Sequence, residues 1–259
     1  MAVDPLVLGR PSSAAEKEPR LAAHGDASEA LYRAAGGSTE WCTLRAASVA
    51  GVRHRLAGEP SEDSYAWSAG KERLALAVTD GLGSVDGSRQ AATAAARTAV
   101  EVAVGDADDP VVAGVRAANQ ACTGGGATTL VLAVVERDGR VEVARVGDST
   151  ALLVQSDGAT WKDLFRAAAD DDETVDVSTA ALPADDPQTE RTSLNLTPGE
   201  VLVLASDGIG DPWRDGPTTV APAFAALFAA RPAPLELARM ADFSRQGCHD
   251  DRTIVLLWL

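Results

Sequence analysis

Two strand-length apolar runs in this chain, "LALAVTDG" (residues 74–81) and "LVLASDG" (residues 202–208), finish on the same Asp-Gly pair. An unbroken apolar run of this length fits a strand buried in a sheet. An Asp at the end of such a strand can point past the sheet edge into a cleft, where its charge is not left unpaired in the core. The glycine behind it lacks a Cβ, so its backbone can approach a ligand closely and offer a carbonyl oxygen. Two buried strands ending this way imply a sheet whose edge faces a site.

Other segments extend the pattern. "CTLRAASVAGV", "ATTLVLAVVE", "VEVARVGD", "TALLVQS" and the closing "RTIVLLWL" read as strands, with Asp-Gly turn chemistry at "RDGR". "VDGSRQAATAAARTAVEVAV" and "PVVAGVRAANQA" read as helices, and two more are expected around "VAPAFAALFAA" and "PLELARMADFSRQ". Strands in runs with helices between the runs favour an α+β layered architecture over strict βαβ alternation. Residues 1–40 read as a loosely attached tail with a short helix near "SEALYRAA", and residues 41–259 as one folded domain. The acidic stretch from Asp170 to Glu190 holds two prolines and reads as a surface loop.

Composition narrows the function classes. Lys and Arg number 23 against 38 Asp and Glu, a formal charge of -15, so neither nucleic acid nor an anionic membrane is expected as a partner. Three scattered cysteines, Cys42, Cys122 and Cys248, make neither a disulfide framework nor a thiolate zinc site. With no apolar run approaching a membrane span and no signal-peptide core, the expectation is a cytoplasmic protein.

Four acidic sites stand at strand ends or turns: Asp80, Asp148 in "RVGDS", Asp207, and the Asp250-Asp251 pair before the last strand. Each alone is ordinary turn chemistry. Together in one cleft they would repel one another unless cations neutralised them, and an all-oxygen donor set suits magnesium or manganese rather than zinc. An acidic two-metal centre activates water and steadies a phosphate ester, which makes phosphate-ester hydrolysis the expected reaction class. No cysteine is followed by Arg six positions on, and Asp80 has no second Asp two residues away, so neither a cysteine nor an aspartyl nucleophile is indicated.

The motif order resembles the metal-dependent PPM-type serine/threonine phosphatases, also called protein phosphatase 2C. "GVRHRLAGEPSEDSY", "AVTDGLGSVDG", "GGGATTLVLAVV", "RVGDS", "LASDGIGD" and "HDDRT" follow in the family's sequence from about Ala47 onward. The resemblance implies a four-layer αββα sandwich with two central, mainly antiparallel sheets. It assigns Asp80, Asp207 and Asp250 as ligands to two Mg2+ or Mn2+ ions, Gly81 as a carbonyl ligand, and Asp148 to a more labile third ion. Asp63 and Glu62 would hold metal-bound water. The implied activity is hydrolysis of phosphoserine and phosphothreonine by a metal-bridging hydroxide. Phosphorylated proteins, the products of a serine/threonine kinase, would be the substrates of this signalling enzyme, which is expected to be a monomer.

This chain departs from the family pattern at Ser61, which stands where Asn is usual, at Ser84, where a second Gly is common, and in the longer stretch through Gly58 and Pro60. Arg53 and Arg55 are both candidates to grip phosphate, and His54 to give a proton to the leaving group; the alternative is that all three are solvated strand residues. A non-catalytic phosphoprotein-binding relative and a hydrolase of small phosphorylated metabolites are the competing functions.

Overall fold

The computed structural model describes residues 31–83, 85–166, 180–214 and 220–259. Eleven strands are found there: β1 (Tyr32–Ser38), β2 (Thr43–Val49), β3 (Ser64–Ala69), β4 (Arg73–Thr79), β5 (Leu130–Glu136), β6 (Arg140–Val146), β7 (Thr150–Val154), β8 (Trp161–Asp163), β9 (Glu190–Asn195), β10 (Val201–Ala205) and β11 (Arg252–Trp258). The helices are α1 (Val52–Ala57), α2 (Ser88–Ala103), α3 (Pro110–Ala121), α4 (Asp207–Arg214), α5 (Ala221–Ala229) and α6 (Pro234–Ala241). One sheet runs β1-β2-β11-β10-β7-β8 and the other β3-β4-β5-β6-β9, with neighbouring strands antiparallel throughout.

Side-chain alternation turns these two sheets into four layers. Successive residues of a strand face opposite sides, so an unbroken apolar strand feeds two cores at once. In β10, Val201, Val203 and Ala205 join a core with Trp213, Phe224 and Phe228 beneath the C-terminal helices, while Leu202 and Leu204 enter the space between the sheets. In β4, Ala75 and Ala77 pack under the Ala-rich face of α2, while Leu74, Leu76 and Val78 meet Leu202, Leu204, Val255 and Leu257 from the opposite sheet. The αββα sandwich therefore follows from strands that are apolar on both faces. Among the described residues no helix is long and apolar enough to cross a membrane.

Two expectations need correction. The folded part reaches back before residue 41: β1 pairs along its length with β2, from Tyr32 opposite Val49 to Ser38 opposite Thr43. Its sequence, "YRAAGGS", has no apolar alternation, and the pairing comes from β2 rather than from local propensity. Residues 32–35 are thus strand, not the helix expected near "SEALYRAA", whose first residues lie outside the described part. The second correction is α1. "VRHRLA" alternates like a strand but forms a helix between Gly51 at its N-cap and Gly58, which closes it in the left-handed conformation (φ 74) that glycine accepts without strain.

Leu204 is fully buried between the sheets, two residues before the chain turns toward Asp207. Leu204→Ala is expected to lower unfolding free energy by about 2–5 kcal/mol, through lost transfer energy and the cavity left behind. Urea unfolding followed by tryptophan fluorescence measures it, and a loss under 1 kcal/mol would contradict this account of the core.

Candidate metal centre

Both sheets deliver carboxylates to one end of the sandwich. Asp80 follows β4 directly, and its backbone is pinned: its N–H donates to Thr129 Oγ1 at 3.0 Å, and its carbonyl accepts from Thr129 N at 2.8 Å and Thr128 Oγ1 at 2.9 Å. From the other sheet, Asp207 starts α4, where a negative charge suits the helix N-terminus. Gly208 exists for a local reason: a Cβ there would collide with the carbonyl oxygen of Asp251, so the turn into α4 and the start of β11 can cross only at a glycine. Asp80, Asp148, Asp207, Asp250, Glu62 and the Gly81 backbone line one pocket of about 350 Å³. Among the described residues, no three acidic side chains close into a ready cage around one point; mutual repulsion favours their spread along the walls.

The electrostatics are those of carboxylates held against their own preference. Burial first, and then the charges of Asp63 and Asp207, push Asp80 well above the usual carboxylate range. Asp207 is pushed up to about 6, chiefly by burial and further by Asp250, Asp148 and Asp211, while a hydrogen bond with Asp80 works the other way. The Oδ1 atoms of Asp207 and Asp63 are buried without a hydrogen-bond partner. An orphan carboxylate oxygen on the wall of an acidic pocket is the donor that a divalent cation satisfies. Asp80, Asp207, Asp250 and the Gly81 carbonyl therefore fit such an ion by donor chemistry, with Asp148 exposed at the outer side.

Asp63 and Glu62 part company. Glu62 lines the pocket, whereas Asp63 is 1% exposed, away from the pocket wall, and accepts a 2.7 Å hydrogen bond from the Ser206 hydroxyl. Its backbone carbonyl also accepts from the Arg33 guanidinium of β1. Asp63 thus sits behind the pocket lining, within the field of Asp80, Asp207 and Asp251.

Helix α1 separates the two arginine candidates. In a strand, residues 53 and 55 would share a face; in a helix they lie roughly 200° apart. Arg53 lines the pocket. Arg55 points the other way, 2.9 Å from Asp242 and 2.7 Å from the Tyr32 hydroxyl, and is withdrawn as a phosphate ligand. His54 lines the pocket between them, its Nδ1 2.8 Å from Asp251 Oδ1 and its Nε2 3.8 Å from Glu62 Oε2. The Asp251 hydrogen bond raises the His54 pKa against the opposing effect of burial.

Asp251, which the sequence marks as half of the Asp250-Asp251 pair without a role of its own, organises the site. It is nearly buried and accepts 2.6 Å hydrogen bonds from the backbone N–H groups of Gly51 and Glu62. Burial alone would raise its pKa; the bonds from His54, Gly51 and Glu62 bring it below the ordinary value. The only sequence signal is its place beside Asp250 at the head of an apolar strand. Ser84 and the acidic residues 170–179 lie outside the described part.

The family model for protein phosphatase 2C matches residues 50–242, about three quarters of the chain. The chain belongs to the protein phosphatase 2C family. No curated protein sequence matches it. Among solved structures it is similar to RsbX crystallised with magnesium, at 15% identity and a TM-score of 0.61, covering 88% of this chain and 100% of RsbX. The Mycobacterium tuberculosis serine/threonine phosphatase PstP/Ppp gives 23% identity and a TM-score of 0.58 over 84% of this chain and 98% of that one. A PstP catalytic domain in complex with two manganese ions gives 21% identity and 0.57, over 84% and 97%. At such identities these likenesses show the fold, and the αββα layering of this protein phosphatase 2C chain agrees with them.

The raised Asp207 pKa fixes a sign. Between its ordinary value of 3.8 and about 6 the folded protein binds more protons than the unfolded chain, so chelated protein loses stability as pH rises through that window. Asp207→Asn is expected to raise the Tm of chelated protein at pH 7 by about 2–6 °C, and manganese to stabilise the parent more than the variant. Scanning fluorimetry between pH 4 and 7 decides it; a variant that melts lower in chelator would refute the repulsion argument.

Proposed function

We propose that this protein hydrolyses phosphoserine and phosphothreonine in protein substrates with the help of two divalent cations, Mg2+ or Mn2+. The observation that carries the proposal is the convergence of Asp80, Asp207 and Asp250, from separate elements of both sheets, on one pocket where Asp207 keeps a buried, unpartnered oxygen. These three side chains and the Gly81 carbonyl would hold the cations, with Asp148 available to a third. Such ions supply an activated water and offset the charge of the phosphate.

The chain's own residues divide the remaining work. Arg53, exposed at the pocket mouth, presents a guanidinium to the phosphate oxygens. His54 has its Nδ1 fixed by Asp251, which leaves Nε2 to give a proton to the departing serine or threonine oxygen. Asp251 is a positioning residue in this scheme. Glu62, tied to Asp251 through its backbone N–H, is placed to orient the attacking water from the His54 side of the pocket. Family membership and the metal-bound neighbours support the reading.

Asp80→Ala in folded protein is expected to lower turnover of phosphopeptides and p-nitrophenyl phosphate by at least a hundredfold. His54→Gln should divide the two substrates. A serine alkoxide needs a proton to leave, and p-nitrophenolate does not, so phosphopeptide kcat should fall about 10²-fold or more while p-nitrophenyl phosphate kcat changes by less than about fivefold. Equal losses on both would remove the proton-donor role. Undiminished activity in Asp80→Ala would remove the metal-centre reading, and preference for sugar phosphates or nucleotides over phosphopeptides would remove the protein substrate.

A further inference from the structure

A second pocket, of about 500 Å³, has the opposite charge on its walls. Arg166, Arg214 and Arg245 line it, together with Asp211 and Cys248. Three guanidiniums gathered around one cavity are unexpected in a chain of net charge -15. Arg214 is a fixed part of the wall, held by Asp163 at 2.9 Å, Asp211 at 3.0 Å and the Thr150 hydroxyl. Arg245 donates to Cys248 Sγ at 3.8 Å. Arg166, just past β8, is exposed, and among the described residues no carboxylate pairs with it.

The chain itself measures the distance to the metal centre. Arg214 is the last residue of the helix that begins at Asp207, and seven helical steps of 1.5 Å place their Cα atoms roughly 10 Å apart. Along the other wall, Cys248 is two residues from Asp250, at most about 7 Å. Both walls thus run directly into metal ligands. An extended peptide covers about 3.3 Å per residue, so a group roughly three residues from a phosphoserine seated at the carboxylates reaches this pocket.

We infer that the Arg166–Arg214–Arg245 pocket is a substrate subsite that binds an oxyanion about three residues from the scissile phosphate, either an Asp or Glu carboxylate or a second phosphate. The inference rests on the phosphatase reading for the identity of its ligand. It gives this acidic protein a way to accept acidic phosphopeptides: the substrate's negative flank meets guanidiniums rather than the chain's general negative field. Guanidinium forks match both carboxylate and phosphate oxygens.

Four phosphoserine peptides of one parent sequence test it on the full-length, manganese-loaded chain: neutral flanks, an Asp-Glu pair three residues before the phosphoserine, the same pair three residues after it, and a second phosphoserine at the better of those positions. One acidic peptide should exceed the neutral one in kcat/KM by about three- to tenfold, mostly through KM, and the advantage should shrink as ionic strength rises. In the double variant Arg166→Ala/Arg245→Ala the acidic-to-neutral ratio should fall to near one. A larger gain from the second phosphoserine than from Asp-Glu would identify phosphate as the preferred oxyanion; equal gains would show that a carboxylate suffices. A ratio of one in the parent, or a ratio preserved in the double variant, overturns the subsite. Absence of turnover on every peptide and on p-nitrophenyl phosphate would be a failure of the phosphatase reading instead. Calorimetry with the same peptides then decides the subsite: tighter binding of the acidic ones that needs Arg166 and Arg245 supports it, and equal binding overturns it.

Discussion

The carboxylate of Asp251 ties together pieces of chain about 200 residues apart. One oxygen accepts from Gly51 at the N-cap of α1 and meets His54; the other accepts from the N–H of Glu62. The carbonyl of the same residue presses on Gly208 at the start of α4. Removing this one side chain would strand the buried N–H of Gly51 and the part-buried N–H of Glu62 and free the imidazole. A stranded buried donor costs on the order of 1–3 kcal/mol, so the geometry of the pocket mouth depends on this one side chain.

Around that staple the fold holds like charges together. Two sheets with apolar residues on both faces give Asp80 and Asp207 rigid platforms, and the Thr128 and Thr129 bonds to Asp80 remove backbone freedom that would let it retreat. A cluster of carboxylates with raised proton affinity is a local loss of stability, and the three cores of the sandwich offset it. Asp63 shows how far the arrangement goes, since its fully buried carboxyl has one oxygen bonded to Ser206, the other without a hydrogen-bond partner, and the like charges of Asp251 and Asp207 acting on it.

Much of this was legible in the sequence where the physics is local. Unbroken apolar runs announced β4, β5, β10 and β11, and the Asp-Gly pairs marked where Asp80 and Asp207 would project. The rest depends on partners far along the chain. β1 and β9 are small-residue or polar edge strands that exist because a neighbour pairs with them, and β8 is only three residues long. "VRHRLA" reads equally well at period 2, and only its helical form separates Arg53 from Arg55. Asp250 and Asp251 are identical in type, yet one is exposed and the other buried, a difference set by Gly51, His54 and Glu62 rather than by anything beside them.

The place of β11 in its sheet sets the order in which the carboxylate pocket is assembled. It lies between β2 and β10, so a strand from the start of the domain cannot complete its pairing until residues 252–258 have been made. Asp250 and Asp251 arrive with that strand. At roughly 5–20 residues per second, synthesis from Asp80 to Trp258 takes on the order of 10 to 35 s. During that interval β4, β5 and β6 can pair while the carboxylates remain apart, and a nascent chain acquires its charge cluster only when the sheet that restrains it closes.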